Sequence, residues 1–268
     1  MRLGEKPPLP VYLRALWQRR DFAVTAPLGE LRAQNMDTVL GNLWHLLNPV
    51  LLVAVYFTIF GLLLDTSRGV DNFIAFLAVG VFVYQYSQRT TIAAARSIPA
   101  NEGLIRSIHF PRALLPVSTV IGQTLAFMPA VVIMLIVAVA TGEPPLLRWL
   151  MLVPILALQV AFNLGAAFVV ARLADSFRDV QNILPFLFRL LFYLSGVLYL
   201  VEAWVTDPVL LRLFNANPLY AFVTLARSAI LGGPTDPELW LSALVWTGVL
   251  LPVGFAFFRA AEQRYGRG

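Results

Sequence analysis

Apolar residues run through this chain in long blocks, and a helix needs about 20 of them in a row to cross a bilayer. Blocks at 41–64, 73–95, 113–140, 149–171 and 239–258 meet that length and predict transmembrane helices. In the first, no residue but His45 can carry a charge, and Asn48-Pro49 is expected to kink it. The second holds Arg89, which sits within snorkelling reach of its Arg96 end. The third belongs to a run of 30 uncharged residues, more than one crossing needs, so it is expected to tilt or to break near Met128-Pro129.

Two further segments need argument. Between Arg189 and Glu202 lie 12 uncharged residues, too few to cross, whereas counting from Asp179 gives 22 with Arg189 among them. A fifth span over 180–201 therefore places Arg189 inside the membrane, facing a partner or water; alternatively the span begins later and Arg189 snorkels to the headgroups. Residues 213–226 form an apolar run of 14, interrupted by Asn217-Pro218 and flanked by Asp207-Pro208 and Gly232-Gly233-Pro234. Too short to cross and too apolar for a loop, 207–233 reads as a re-entrant hairpin. Before the first span, Tyr12, Leu13, Leu16 and Trp17 recur at helical spacing beside Arg14, Arg19 and Arg20, the pattern of an interfacial helix. The prolines at its start and the lack of a secretory apolar core mark this segment as retained. The pattern thus predicts an all-α integral membrane protein. A segment over 1–37 carries an N-terminal amphipathic helix, and a domain over 38–268 holds six transmembrane helices with a re-entrant hairpin between the fifth and sixth.

Between the second and third blocks lies a basic, proline-punctuated island, 96–116. Its prolines leave room for a helix of about two turns over 101–109. Asn101 is placed to cap it and Glu102 to meet the positive end of its dipole. Leu104, Ile105 and Ile108 are expected on one face, with Arg106 elsewhere. Such a helix between spans is a docking knob for a soluble partner; a solvated turn would have the same composition.

Charge orients the whole. Counting Lys and Arg on alternate sides gives 14 on the side of both termini and 4 on the other, which places both termini in the cytoplasm. With 59% hydrophobic and 13% charged residues, the chain has about half the charge of a soluble domain. The basic pI near 9.9 reports this bias and attraction to anionic lipid, and no nucleic-acid partner is expected.

Candidate chemistry narrows the classes further. There is no cysteine, so disulfides and thiolate metal sites are excluded. The single lysine, Lys6, precedes Pro7, so no phosphate-cradling loop ending in Lys-Ser or Lys-Thr exists, and ATP, if used, binds another chain. His45 and His109 lack metal-ligand spacing. No Asp or Glu falls inside a predicted span, which argues against a proton-coupled carrier. Tyr56, Phe60, Phe82, Tyr86, Phe127, Phe162, Phe192 and Tyr193 offer aromatic faces within the spans that either pack or line a path for sugars. Gln85, Gln123, Gln159 and Asn163 either bond to neighbouring helices or line a wet path. The cluster Arg172, Asp175, Arg178 and Asp179 keeps an intramembrane polyprenyl-phosphate transferase as an alternative, against a topological ion-pair turn.

Several residues carry a resemblance. Leu40-Gly41-Asn42-Leu43-Trp44, then Pro49, Tyr56 and Phe60-Gly61, resembles the first-span signature of permease subunits of Wzm-type ABC exporters for lipid-linked polysaccharide. Ile105-Arg106, Phe110-Pro111-Arg112, Phe177-Arg178-Asp179, the run from Tyr193 to Tyr199 and Asn217-Pro218-Leu219 are similar in order and spacing. The resemblance covers the chain from about residue 30. It implies a non-enzymatic permease in the inner membrane, a homodimer above two copies of a separate ATPase that holds ATP and Mg. Its implied substrate is a polyprenyl-pyrophosphate-linked glycan: O-antigen, teichoic acid or galactan, the last favoured by a composition of 19 Arg to one Lys. An exporter of another lipid or of drugs is the alternative within ABC transport. The resemblance also makes Asn101, Glu102, Leu104, Ile105, Arg106, Ile108 and His109 the ATPase-coupling residues. Tyr56, Phe60, Phe82, Tyr86, Phe127, Phe162, Arg189, Phe192 and Tyr193 become the conduit candidates.

Overall fold

The computed structural model describes residues 8–33, 44–64, 67–108, 110–233, 236–262 and 265, and all regular structure among them is helical. His109 and the residues 34–43 that open the expected first span lie outside the described residues. Eleven α-helices follow in order: α1 Leu9–Gln18, α2 Arg20–Ala33, α3 Trp44–Tyr56, α4 Phe73–Arg96, α5 Glu102–Ser107, α6 Leu114–Ala140, α7 Leu152–Ser176, α8 Val180–Leu194, α9 Pro208–Asn215, α10 Pro218–Leu231 and α11 Pro237–Ala260. Among the described residues, three helices are long and apolar enough to cross a membrane: Leu114–Ala140, Leu147–Ser176 (α7 with the 3₁₀ turn before it) and Pro237–Ala260. The pair α9 and α10 makes a fourth if counted as one bent span. This is the architecture of an integral membrane protein.

The core is organised around α4, which has residues buried along almost its whole length and packs against α3, α6, α7, α8 and α10. Asn72 starts it by accepting from Ala75 N at 3.1 Å, while its amide donates to Thr141 Oγ1 at 2.9 Å and so ties the α6–α7 connection to the same end. Asp207, Asn217 and Asp236 likewise cap α9, α10 and α11, each followed by proline at the first helical position. Asp207-Pro208 and Asn217-Pro218 read in sequence as turn signals, and each is in fact the start of a helix.

The structure sharpens several expectations. Of the two readings of the third block the break is not found: residues 114–140 stay helical through Pro129, because one missing N–H removes one bond while the flanking turns remain intact. The segment expected to span 180–201 is helical only to Leu194, 15 residues or about 22 Å. Its last carbonyl accepts from the Asn217 side chain at 3.2 Å, so the helix ends against the α9–α10 bend. The segment 207–233, expected as a re-entrant hairpin, holds the helices α9 and α10, bent by 88° at Asn217, a geometry that a re-entrant loop and a broken span share. The N-terminal segment holds a second helix, α2, packed on α6.

Helices α7 and α11 pack at glycine. A Cβ on Gly165 would lie 2.7 Å from the Leu250 carbonyl carbon, and one on Gly254 would lie 2.5 Å from Gly165 O. Without a solvent-driven hydrophobic force between helices, such close backbone approach is what holds them. Gly165→Val is therefore expected to lower stability by about 1–3 kcal/mol, the usual cost of overpacking. A melting curve in detergent checks this, and an unchanged midpoint would show that the helices part without cost.

Candidate functional site

At the basic end, Arg112 and the C-terminal tail fix the island. Tyr12 Oη donates to Glu262 Oε1 at 2.7 Å, Arg112 N donates to the same oxygen at 2.8 Å, and the Arg112 guanidinium donates to Glu262 O. Burial, with the Glu262 carboxylate beside it, holds the Tyr12 phenol well above its ordinary range, so it stays a donor. Tyr12 thus faces inward, while Leu13 and Trp17 on the same helix remain exposed.

The expected docking helix is present but shorter. A 3₁₀ turn over Pro99–Asn101 leads into α5, with Glu102 paired to Arg106 at 3.5 Å. Asn101 makes no side-chain cap; its amide turns back and donates to Ser97 O at 2.9 Å. The three apolar residues do not share a face. Ile105 is buried with Ile98, Ala113 and Phe258, Leu104 is half-buried, and Ile108 lies beyond the helix in extended backbone, 49% exposed. The surface offered outward is Arg106, Ile108 and the exposed part of Leu104, the rest of which packs on the same cluster as Ile105.

The conduit candidates separate by burial. Phe82, Tyr86, Phe127 and Phe162 are core residues: Tyr86 stacks on Phe127 at 4.4 Å with its hydroxyl on Thr124, and Phe162 packs on Phe222 at 5.4 Å. Phe192 is buried between Tyr56 and Tyr84, with Tyr193 edge-on to it, and Tyr56 and Phe60 are half-buried. Arg189 and Tyr193 project from the open side of α8, whose Leu184, Phe188 and Phe192 stripe packs inward. Of the polar candidates, Gln159 donates to Val83 O and Ser87 Oγ, both at 2.9 Å, and is a helix-to-helix tie. Asn163 is fully buried and has neither side-chain atom bonded.

Two arginines matter more than sequence reasoning allowed. Arg227 on α10 is buried, donating to Gly196 O and Val197 O at 2.7 Å each and to Phe76 O at 3.2 Å, with its guanidinium 3.4 Å above the Phe76 ring centroid. It joins α10, the turn after α8 and the start of α4, on the floor of a cavity of about 530 Å³ that Asp71, Glu143 and Glu202 also line. The signal available in sequence was a lone arginine among apolar residues of a short helix. Arg89, expected to snorkel toward Arg96, instead turns the other way, its Nη2 donating to Gln85 Oε1 at 3.0 Å, one turn nearer the middle of α4. Long side chains on a helix point toward its N-terminus, and here an amide holds the charge there.

The Arg172 to Asp179 cluster does not converge on a site: Arg172 lies over the Phe257 ring and donates to Phe257 O, which ties α7 to α11. No group of three or more His, Asp or Glu that could hold a metal ion occurs among the described residues.

Comparison with known proteins adds to this geometry. A family model described as ABC-2 type transporter matches residues 29–231. The chain is 27% identical over 253 residues to the O-antigen export system permease protein RfbA of Klebsiella pneumoniae, covering 91% of this chain and 93% of that one. It is 26% identical over 212 residues to the protein of the same name in Myxococcus xanthus, covering 79% and 81%. To the polysialic acid transport protein KpsM of Escherichia coli it is 24% identical over 242 residues, covering 88% and 92%.

Proposed function

The chain belongs to the ABC-2 type transporter family, and from that membership we propose that it is the permease subunit of an ATP-driven exporter of lipid-linked polysaccharide. One observation carries the reading. The chain aligns over most of its length with permeases named for O-antigen and polysialic acid export. Under this proposal two copies form the conduit in the inner membrane, both termini lie in the cytoplasm, and two ATPase chains supply ATP and Mg. The substrate is a glycan on polyprenyl pyrophosphate, galactan being one such polymer. The described helices allow six crossings if α3, α4 and α8 join α6, α7 and α11, with the α9–α10 pair entering and leaving by the outer face.

Within that arrangement the Leu104, Arg106 and Ile108 surface meets the ATPase, Asn101 and Ile105 hold it in place, and the Arg189 and Tyr193 face of α8 lines the conduit. Sugars need contacts that exchange easily, and an aromatic ring beside a guanidinium supplies stacking and hydrogen bonds without fixed register. Reconstitution with the ATPase encoded in the same genome tests the function: lipid-linked glycan should stimulate ATP hydrolysis several-fold, and glycan-free lipid should not. Stimulation by neither would overturn it. Arg189→Leu tests the conduit wall. Export should fall about tenfold or more, the worth of one charge-assisted hydrogen bond, with folding and ATPase assembly unchanged. Unchanged export would return Arg189 to the headgroups.

A further inference from the structure

The cavity of about 530 Å³ with Arg227 on its floor falls within the range of about 300–1,000 Å³ that small-molecule sites occupy. It lies at the Asn72 end of α4, away from the basic island, and is walled by the start of α4, the α6–α7 connection, the segment after α8 and α10. Side chains that could donate into it have turned their protons inward. The three guanidinium nitrogens of Arg227 serve backbone carbonyls, and the Asn72 amide serves Thr141 Oγ1 and Glu143 Oε1 at 2.9 and 3.2 Å. Tyr199 Oη donates to Tyr193 O and Ser228 Oγ to Leu225 O, both at 2.9 Å. Tyr220 Oη donates to Glu202 Oε1 at 2.7 Å.

What the lining still offers is acceptors. A carboxylate has about four lone-pair sites. Glu143 and Glu202 take the bonds above on one oxygen each, and Asp71 stands at the exposed rim. A ligand that fits must therefore bring donors, which rules out a phosphate or another anion. The charges nearly balance: three carboxylates face the Arg227 guanidinium beneath them and that of Arg148, 4.0 Å from Glu143, so a cation is not called for either. Nor do the carboxylates converge. They come from three separate segments, and no group of three that could hold a metal ion occurs among the described residues. Spread acceptors, a small net charge and a wall of Tyr199, Leu200 and Leu231 are complementary to a ring that carries hydroxyls on its edge and C–H groups on its face.

We propose that this cavity binds uncharged sugar units, whose hydroxyls donate to Asp71, Glu143 and Glu202 while their apolar faces lie on Tyr199 and Leu231. The Tyr199 bond to Tyr193 sets the site against the α8 face that the exporter reading makes the conduit wall. That its occupant is the exported glycan rests on that reading; the sugar site itself does not.

The absence of native cysteine gives a direct test. Ser228→Cys places one thiol in the lining, and the purified full chain is labelled with a maleimide in lauryldimethylamine oxide, a detergent without sugar. Galactobiose or maltotriose should slow labelling saturably. Their permethylated forms, which keep the rings but have no O–H, should not, and digalacturonate should need at least about ten times the concentration, because its carboxylates meet those of the lining. In the same background Asp71→Asn should raise the half-protecting concentration several-fold, up to about the tenfold that one charge-assisted hydrogen bond is worth. No protection by either neutral saccharide, equal protection by the permethylated forms, or indifference to Asp71→Asn overturns the proposal. Protection by spermidine in place of the saccharides overturns it too, and makes the cavity a cation site. If Ser228→Cys does not fold, the parent chain decides: the neutral saccharides should raise its melting midpoint in the same detergent, and an unmoved midpoint overturns the proposal. None of these measurements involves the ATPase, so failure here and failure of the exporter reading stay distinguishable.

Discussion

Arg227→Met should be the most damaging single substitution in the membrane domain. Methionine fills much of the same volume but donates nothing, so the carbonyls of Gly196, Val197 and Phe76 lose the donors that now reach them at 2.7, 2.7 and 3.2 Å. Two of those carbonyls exist as acceptors because α8 has already ended at Leu194, and no following turn bonds them. A buried carbonyl without a partner costs about 1–3 kcal/mol, and removing one side of a buried charged network costs about 3–5 kcal/mol. The expected result is a loss of at least about 3 kcal/mol, read as a large fall in the melting midpoint in detergent or as loss of monodisperse protein. Arg227→Lys should fall between, since an ammonium keeps the charge but lacks the planar fork that serves diverging carbonyls and stacks on Phe76. A Met variant as stable as the parent would show that α10 is held by apolar packing alone.

The same residue shows what the sequence could and could not reveal. Apolar runs of span length, uncharged but for Arg89 in the second, made the helices α4, α6, α7 and α11 legible to within about five residues, because a bilayer forces backbone bonds to be satisfied inside each segment. That rule does not say where an apolar segment stops being helical. Residues 195–201 are as apolar as α8 and were read as its continuation, yet the chain turns there because Asn217 and Arg227, far along the sequence, supply its carbonyls with donors. Arg89 was misplaced for a related reason. Snorkelling follows from distance to the surface, whereas its direction is set by Gln85 one turn deeper. Of the coupling residues, the helix was legible from its prolines, but Ile105 faces inward because Tyr12, Phe258 and Tyr265, from both ends of the chain, gather there. Pairings over such separations leave no local pattern.

That inward turn of Ile105 decides how coupling to the ATPase must be tested. Asp at Ile105 would bury a carboxylate among Ile98, Ala113 and Phe258, and the island would come loose whether or not it touches a partner. Ile108 is different: it is 49% exposed, so Asp there meets water in the isolated chain, while Leu104 is half-buried and packs partly on the same cluster as Ile105. If both insert into the ATPase, each contributes about 1.5–3 kcal/mol on burial, so losing the pair weakens binding by two orders of magnitude or more, at about 1.4 kcal/mol per tenfold. Ile108→Asp alone is therefore expected to leave the melting midpoint of the chain within about a degree or two, as surface substitutions do, whereas Leu104→Asp with Ile108→Asp, which also loses the packing of Leu104 on that cluster, should lower it by several degrees while abolishing co-purification of the ATPase and glycan-stimulated hydrolysis. Arg106→Ala, which removes the exposed partner of Glu102 at 3.5 Å, should weaken the complex less, because exposed ion pairs contribute about 0–1 kcal/mol. Normal recovery of the ATPase by the double variant would exclude this surface from coupling and leave α5 as a turn that returns the chain to the membrane.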